Sequence, residues 1–413
     1  MAWFYQATDF LTDSLVNQQT RISLLVVTGA SFALGLLISL CLSSGSPRQD
    51  KILASPLTML VPSLSDAEKK ALPLPPDVFP GSRDVATPYG SIRVYEWGPE
   101  DGTKVLFVHG ITTPCLALGG IAHALADRGC RVILFDLFGR GYSDAPSDLP
   151  QDPRLFITQI LLVLASSPLS WTGIGSGRFC LVGYSLGGGI AAVFASYFKE
   201  LLSSLVLLAP SGLLRDSRIN IQSRLLYSHS LIPDALLNFL VAWRLRSGPL
   251  VPRDTNGKTV GADDALVQEL PEPALDPVEL LSKAYPKANI REAVSWQVRS
   301  HAGFVHSFIS SMRHGPILQK NELPSWRRLG KVLTQQQNLS PKEQQAKGLR
   351  SGKVLVMCAK HDAIIPKDEL VEDATAALEG NVEFRFFNAG HEFGSTKADD
   401  IALQIMEFWD QTT

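Results

Sequence analysis

Five short, almost uninterrupted apolar runs constrain this chain most: Lys104–Val108, Arg131–Phe135, Arg178–Val182, Ser204–Leu208 and Lys353–Met357. Each is too short for a stable helix and too apolar for a strand with a wet face, so each reads as a strand buried on both sides. Helix-like stretches separate several of them, at Leu116–Arg128, Arg154–Ala165, Gly188–Phe198, Glu369–Leu378 and Ala398–Trp409. Strand and helix in alternation give an α/β chain with a mainly parallel sheet and helices on both faces. Ser91–Trp97 alternates like a half-exposed strand, and Val382–Phe386 adds another. The region around Tyr89 and Gly90 reads as a hairpin, which makes the first strands antiparallel.

The third of these runs leads into Gly183-Tyr184-Ser185-Leu186-Gly187 and then a small-residue helix. A serine hydroxyl is a poor nucleophile unless the backbone presents it to a base. A sharp strand-to-helix turn does so, and glycines on both sides keep a Cβ from striking the neighbouring strand or helix. A bare G-x-S-x-G is also an ordinary turn; the later strands separate the two readings. Asp362 follows the Lys353–Met357 run, and His391 follows Val382–Phe386. In a parallel sheet the carboxyl ends of all strands share one edge, so Ser185, Asp362 and His391 can converge there as nucleophile, orienting acid and base. The oxyanion donors expected are the N–H of Leu186, directly after the serine, and that of Ile111 in the loop after Val108, with Thr112 as the second choice for the latter.

Other polar residues have simpler roles. His109 reads as a donor shaping its loop, His361 as a solvated neighbour of Asp362, and Asp136 and Asp144 as braces of a Gly-rich loop. Asp216 is the alternative acid. Gly173–Gly177 mimics a nucleotide loop but precedes a strand, so it reads as a turn. His301, His306 and His314 lack metal-ligand companions and read as surface or pocket-lining residues. No cofactor and no metal is expected.

Residues 22–43 carry no charge and are rich in Leu, Val and Ile. As a helix they would span roughly 33 Å, enough to cross a hydrocarbon core of about 30 Å. About twenty residues precede them, including Asp9 and Asp13, which fits an uncleaved anchor better than a signal peptide. The domains expected are a tail at 1–21, a transmembrane anchor at 22–43, a Pro-rich linker at 44–84, a core at 85–212 and 351–413, and a cap at 213–350. Arg and Lys after the anchor place the large domain on the cytosolic side. Five scattered cysteines, with no C-x-x-C, read as free thiols in a reducing compartment. A single-pass protein of an endomembrane such as the endoplasmic reticulum is the expectation. The formal net charge of −2, without basic clusters, excludes a nucleic-acid binder.

The ordered set of elements resembles the α/β-hydrolase family over about residues 85 to 413. It is carried by His109-Gly110, the stretch Asp136–Asp144 with Gly139 and Gly141, the serine turn, the late acid and the final histidine. The resemblance implies an eight-stranded, mostly parallel sheet and hydrolysis through a covalent acyl-enzyme. Serine at the turn is similar to the esterase, lipase, thioesterase and carbon–carbon hydrolase branches, and unlike the Asp-bearing epoxide hydrolases and haloalkane dehalogenases. The function expected is a membrane-anchored serine hydrolase acting on a carboxylic ester, hydrophobic or lipid. A thioesterase, a carbon–carbon hydrolase or a non-catalytic binding member of the fold remain the alternatives. The substrate and the oligomeric state stay open.

Overall fold

The computed structural model describes residues 51–172, 177–219, 234–247, 269–271, 280–339, 348–349 and 352–412, with isolated positions at 29, 31, 32 and 35. The expected anchor at 22–43 lies outside the described residues apart from those isolated positions. Among the described residues no helix is long and apolar enough to cross a membrane. The chain divides into two compact units, Met1–Asp50 and Lys51–Thr413, and the sheet with its helices belongs to the second.

Eight strands form that sheet: β1 (Ser82–Thr87), β2 (Gly90–Trp97), β3 (Thr103–Val108), β4 (Cys130–Phe135), β5 (Phe179–Tyr184), β6 (Leu202–Leu208), β7 (Val354–Ala359) and β8 (Val382–Phe387). Their spatial order is β8-β7-β6-β5-β3-β4-β2-β1. The hairpin β1–β2 is antiparallel and β2 runs against β4, while every pair from β4 through β8 is parallel. The register aligns Val108 with Gly183, Tyr184 with Leu208, Leu208 with Met357, and Ala359 with Phe387. The strands therefore end on a common rim, and the residues just beyond those ends meet there.

Helices cover both faces. On one side lie α1 (Gly119–Asp127) and the C-terminal α9 (Ala398–Gln411), packed on each other. On the other lie α2 (Pro153–Ala165), α3 (Leu186–Phe198), α7 (Gln319–Gln337) and α8 (Lys367–Ala377). Between β6 and α7 come α4 (Asp234–Ser247), α5 (Ile290–Ser300) and α6 (Phe304–His314).

Two expected boundaries move. The stretch expected as a linker up to residue 84 is structured from Lys51 onward. Ser65 and Glu68 form a capping box, and Leu74, Val78 and Phe79 are buried. The Phe79 ring meets Tyr95 edge-on and stacks on Trp97, each at 5.3 Å. Short helical turns at Pro56–Met59 and Asp66–Lys70 satisfy much of the strap's backbone, and its prolines restrict the unfolded chain, so the strap lies down on the sheet at a reduced entropic cost. The second change concerns the cap expected at 213–350. Helix α7 lies within that range yet packs on α3 and α8, where Gly330 lets it approach the Ala377 and Leu378 backbone. A parallel β6–β7 pair needs a crossover helix, and α7 supplies it. Leu214 bridges to Leu318, so the inserted stretch departs and returns at one place.

Candidate active site

Ser185 occupies the turn between β5 and α3 with φ 53° and ψ −119°. That left-handed region is strained for a residue with a side chain, and such strain persists only where the surroundings over-determine it. They do so here. The Ser185 N–H donates to Leu208 O at 2.9 Å, and its own carbonyl accepts from the Ser211 N–H at 3.0 Å. A Cβ on Gly187 would strike the Val108 carbonyl oxygen, and one on Gly183 would strike the Gly187 carbonyl. Glycine is therefore required on both sides of the serine.

Beyond β7 the chain turns at Asp362, and beyond β8 at His391. The His391 Nδ1 lies 2.7 Å from Asp362 Oδ2, and its Nε2 lies 2.9 Å from Ser185 Oγ. An ionised carboxylate only accepts, so Nδ1 carries the proton and Nε2 is free to accept from the serine hydroxyl. Asp362 is fixed in turn, because its Oδ1 accepts from the N–H groups of Ile364 (2.9 Å) and Ile365 (2.7 Å). The Tyr184 hydroxyl donates to the His391 carbonyl at 2.7 Å, and its ring stacks on the imidazole at 5.4 Å. His391 is fully buried and Ser185 is 7% exposed. Burial pushes the His391 pKa down. The Asp362 charge and hydrogen bond outweigh this, helped by Glu269 and Glu392, and leave it above its ordinary value.

Leu186 opens α3, so its N–H is one of those a helix start leaves without an intrahelical partner. The Ile111 N–H has an acceptor that the sequence did not suggest. It donates to Glu269 Oε1 at 3.0 Å, while Thr112 and Thr113 donate to Oε2 at 3.0 and 3.2 Å. Glu269 is 1% exposed, and a Cβ on Gly110 would overlap its carboxylate. Nothing in local sequence marks it. Glu269 sits 84 positions after Ser185 in a polar, Pro-rich stretch that also holds Asp263, Asp264, Glu272 and Asp276, where one acid among several reads as solvated.

The remaining candidates sort cleanly. His109 accepts from the Leu137 N–H through Nε2 (2.8 Å) and donates from Nδ1 to Gly110 O (2.8 Å). Burial lowers its pKa to about 3, so it is a fixed neutral brace. Asp136 holds the Cys115 and Tyr142 N–H groups, and Asp144 those of Ser55 and Ser91. His361 is exposed with Nε2 at 3.0 Å from Asn388 Oδ1, and Asp216 pairs with Lys320 at 2.8 Å. His301 differs from the surface or pocket-lining role expected. It is buried, its Nδ1 accepts from the Gly303 N–H and its Nε2 donates to Ser143 O. His306 and His314 line a surface pocket with Asn238 and Arg313. Gly173–Ser176 lie outside the described residues. Among the described residues no three His, Cys, Asp or Glu side chains are grouped to hold a metal.

Comparison with known proteins adds family context. A family model described as alpha/beta hydrolase fold matches residues 104–398. A serine hydrolase-like protein of Dictyostelium discoideum is 31% identical over 134 residues, covering 32% of this chain and 35% of the relative. A serine hydrolase-like protein of Danio rerio is 28% identical over 128 residues, 31% of this chain and 37% of the relative. The chain thus matches little more than a third of the length of these curated relatives. Among solved structures, a thermophilic esterase from Thermogutta terrifontis superposes with a TM-score of 0.51 at 19% identity, covering 80% of this chain and 98% of the other. A bacterial membrane phospholipase A superposes with a TM-score of 0.51 at 17% identity, covering 93% and 99%. At such identities the likeness is one of fold.

Proposed function

Because the chain belongs to the α/β-hydrolase fold family, we propose that it is a membrane-anchored serine hydrolase that cleaves a hydrophobic carboxylic ester through an acyl-enzyme. The observation that carries this reading is the relay of Ser185 Oγ, His391 Nε2 and Asp362 Oδ2 at 2.9 and 2.7 Å, built on a strained turn. His391 takes the hydroxyl proton as Ser185 Oγ bonds to the ester carbonyl carbon. The carbonyl oxygen becomes an oxyanion facing the N–H groups of Leu186 and Ile111. His391 then gives the proton to the departing alkoxide, and the alcohol leaves. Water, deprotonated by His391, attacks the acyl-serine and releases the acid with Ser185 restored. Asp362 stays ionised throughout and stabilises the imidazolium.

Two features support an apolar substrate at a membrane. The first is the uncharged run at 22–43. The second is helix α4, which is apolar on two sides. Leu237 and Val241 are buried, while Leu236, Phe239, Leu240 and Trp243 form an exposed stripe at i, i+3, i+4 and i+7. An exposed apolar stripe of this kind marks a surface that meets lipid, an apolar ligand or another protein. Cys115, Cys130, Cys180 and Cys358 are buried free thiols, which suits a catalytic unit on the cytosolic face of an endomembrane.

A fluorophosphonate probe tests the chemistry. It labels the wild type and spares Ser185→Ala; equal labelling of both refutes the assignment. Alkaline carbonate extraction of the full chain from membranes tests the anchor, which requires the protein to stay with the lipid. Ester preference follows from kcat/KM across p-nitrophenyl esters, expected to rise from acetate to longer acyl chains.

A further inference from the structure

Three consecutive peptide groups, Gly110–Ile111, Ile111–Thr112 and Thr112–Thr113, are built to hold an anion. Their N–H groups all point at the Glu269 carboxylate. Each carbonyl on the far side is itself held by a buried donor. His109 Nδ1 donates to Gly110 O at 2.8 Å, Arg140 Nε donates to Ile111 O at 3.1 Å, and Gln297 Nε2 donates to Thr112 O. A donor on the carbonyl polarises the peptide and strengthens the bond its N–H makes. The braces are fixed too. Gln297 Oε1 accepts from the Gly141 N–H, and the Arg140 guanidinium donates to Phe138 O, Gln151 Oε1 and Ser311 Oγ. His109, Arg140 and Gln297 are all fully buried. The Arg140 charge faces Glu269 across the Ile111–Thr112 peptide, and burial pulls its pKa down to about 9.

The Ile111 N–H in this nest is the donor that the proposed reaction needs for its oxyanion. In the structure it is taken by a side chain of the same molecule. Gly110, with no Cβ, leaves the room the carboxylate fills.

We propose that the Ile111–Thr113 nest is a carboxylate site and that Glu269 is its resident occupant, holding the hydrolase self-inhibited until substrate displaces it. This rests on the hydrolase reading and adds its regulation. Free carboxylic acids, the products of that reaction, are the ligand class that competes with Glu269 for the same amides. His109, Arg140 and Gln297 act as positioning residues that aim and polarise the nest.

The test uses the full chain in detergent, with p-nitrophenyl acetate as a small soluble ester and sodium butyrate as the free carboxylate. Glu269→Ala and Glu269→Gln are expected to raise kcat/KM and the rate of fluorophosphonate labelling at least fivefold. The inhibition constant for butyrate is expected to fall at least tenfold in Glu269→Ala, because the nest is vacated. Rates equal to or below wild type in both folded variants overturn the proposal. Hydrogen exchange on the unaltered chain gives a check that no folding defect can obscure. Once a fluorophosphonate occupies Ser185, its P–O oxygen takes the Ile111 amide, and the segment containing 269–271 should exchange faster. Unchanged exchange there overturns the proposal while leaving the hydrolase reading intact. Absence of labelling in the wild type and both variants overturns the hydrolase reading itself.

Discussion

Replacing Asp362 with Asn tests the relay in a way whose size follows from the geometry. Asp362 Oδ1 accepts two backbone N–H bonds, from Ile364 and Ile365, while Oδ2 faces His391 Nδ1. An asparagine must choose. With its oxygen kept on the two amides, its NH2 faces Nδ1, which then has to accept. The imidazole proton moves to Nε2 and the ring can no longer take a proton from Ser185. With the amide flipped, Nδ1 is satisfied, but the NH2 faces two buried N–H donors. Leaving two buried donors unsatisfied costs about 1–3 kcal/mol each, so the competent orientation sits about 2–6 kcal/mol higher and kcat/KM falls roughly 30-fold to 2.5 × 10⁴-fold. The assay is kcat/KM for p-nitrophenyl butyrate, with Tm followed in parallel to show the fold is kept. A loss of less than threefold in a folded variant would refute the reasoning, and Asp362 would not be the group that sets the tautomer.

The other predictions follow from neighbouring features. Hydrolysis needs neutral His391, whose pKa lies above its ordinary 6.5 through Asp362, Glu269 and Glu392, with the Tyr184 ring as its other neighbour. The log of kcat/KM should therefore climb with pH to a midpoint above that value, and Glu269→Gln should move the midpoint down; a profile already flat at pH 6.5 counts against it. Burial lowers the His301 pKa to about 4, so its share of stability is complete above about pH 6.5 and is lost as pH falls through that range toward 4. At about 1.4 kcal/mol per unit the share is roughly 3 kcal/mol, and His301→Gln should flatten the drop in urea midpoint between pH 7 and 4. Replacing Phe239 and Trp243 by Ser should slow hydrolysis of an ester dispersed in phospholipid vesicles severalfold, with p-nitrophenyl acetate turnover unchanged; equal loss on both substrates would point to packing instead. Gly187→Ala should lower Tm by several degrees or prevent folding, since its Cβ meets backbone oxygens of Val108 and His109 that cannot move aside.

What could be read from sequence was whatever local chemistry dictates alone. The apolar runs at 104–108, 131–135, 178–182, 204–208 and 353–357 had to be doubly buried strands, and their parallel pairing then placed the residues after them on one rim. Gly183 and Gly187 betrayed the serine turn because no other residue fits there. Proline misled at 44–84. It signals a lack of ladder hydrogen bonds, which does not imply a lack of packing, since Leu74, Val78 and Phe79 still have apolar surface to bury. Helix α7 falls in the expected cap because the whole of 213–350 interrupts the run of strands, and nothing in that length marks its last helix as part of the core. Which face of the sheet it covers depends on the crossover between β6 and β7, a fact about topology and not about residues 319–337 themselves. His301 reads as surface or pocket-lining from sequence because an isolated histidine carries no sign of its partners, here the Ser143 carbonyl and the Gly303 amide.

Glu269 lay furthest from sequence reasoning because its meaning comes entirely from the amides it meets. Three N–H groups polarised from behind by His109, Arg140 and Gln297 favour full negative charge over the partial charge of a neutral ester carbonyl. That difference is what accelerates attack, since donors help only insofar as they bind the developing oxyanion better than the ground state. The same preference makes any carboxylate a strong ligand for the nest. A site tuned this way faces inhibition by the acids it releases, and occupancy by a tethered carboxylate is the intramolecular form of that inhibition. A tether raises the local concentration of Glu269 to the millimolar scale or above, so a substrate displaces it only by bringing binding energy from elsewhere. The acyl chain is the part of a hydrophobic ester that can supply it. Expulsion is the same step for every substrate, so Glu269→Ala should raise kcat/KM by one common factor from acetate to longer acyl chains and leave the chain-length slope unchanged, and a gain confined to some chain lengths would show that Glu269 shapes acyl recognition instead of occupying the nest.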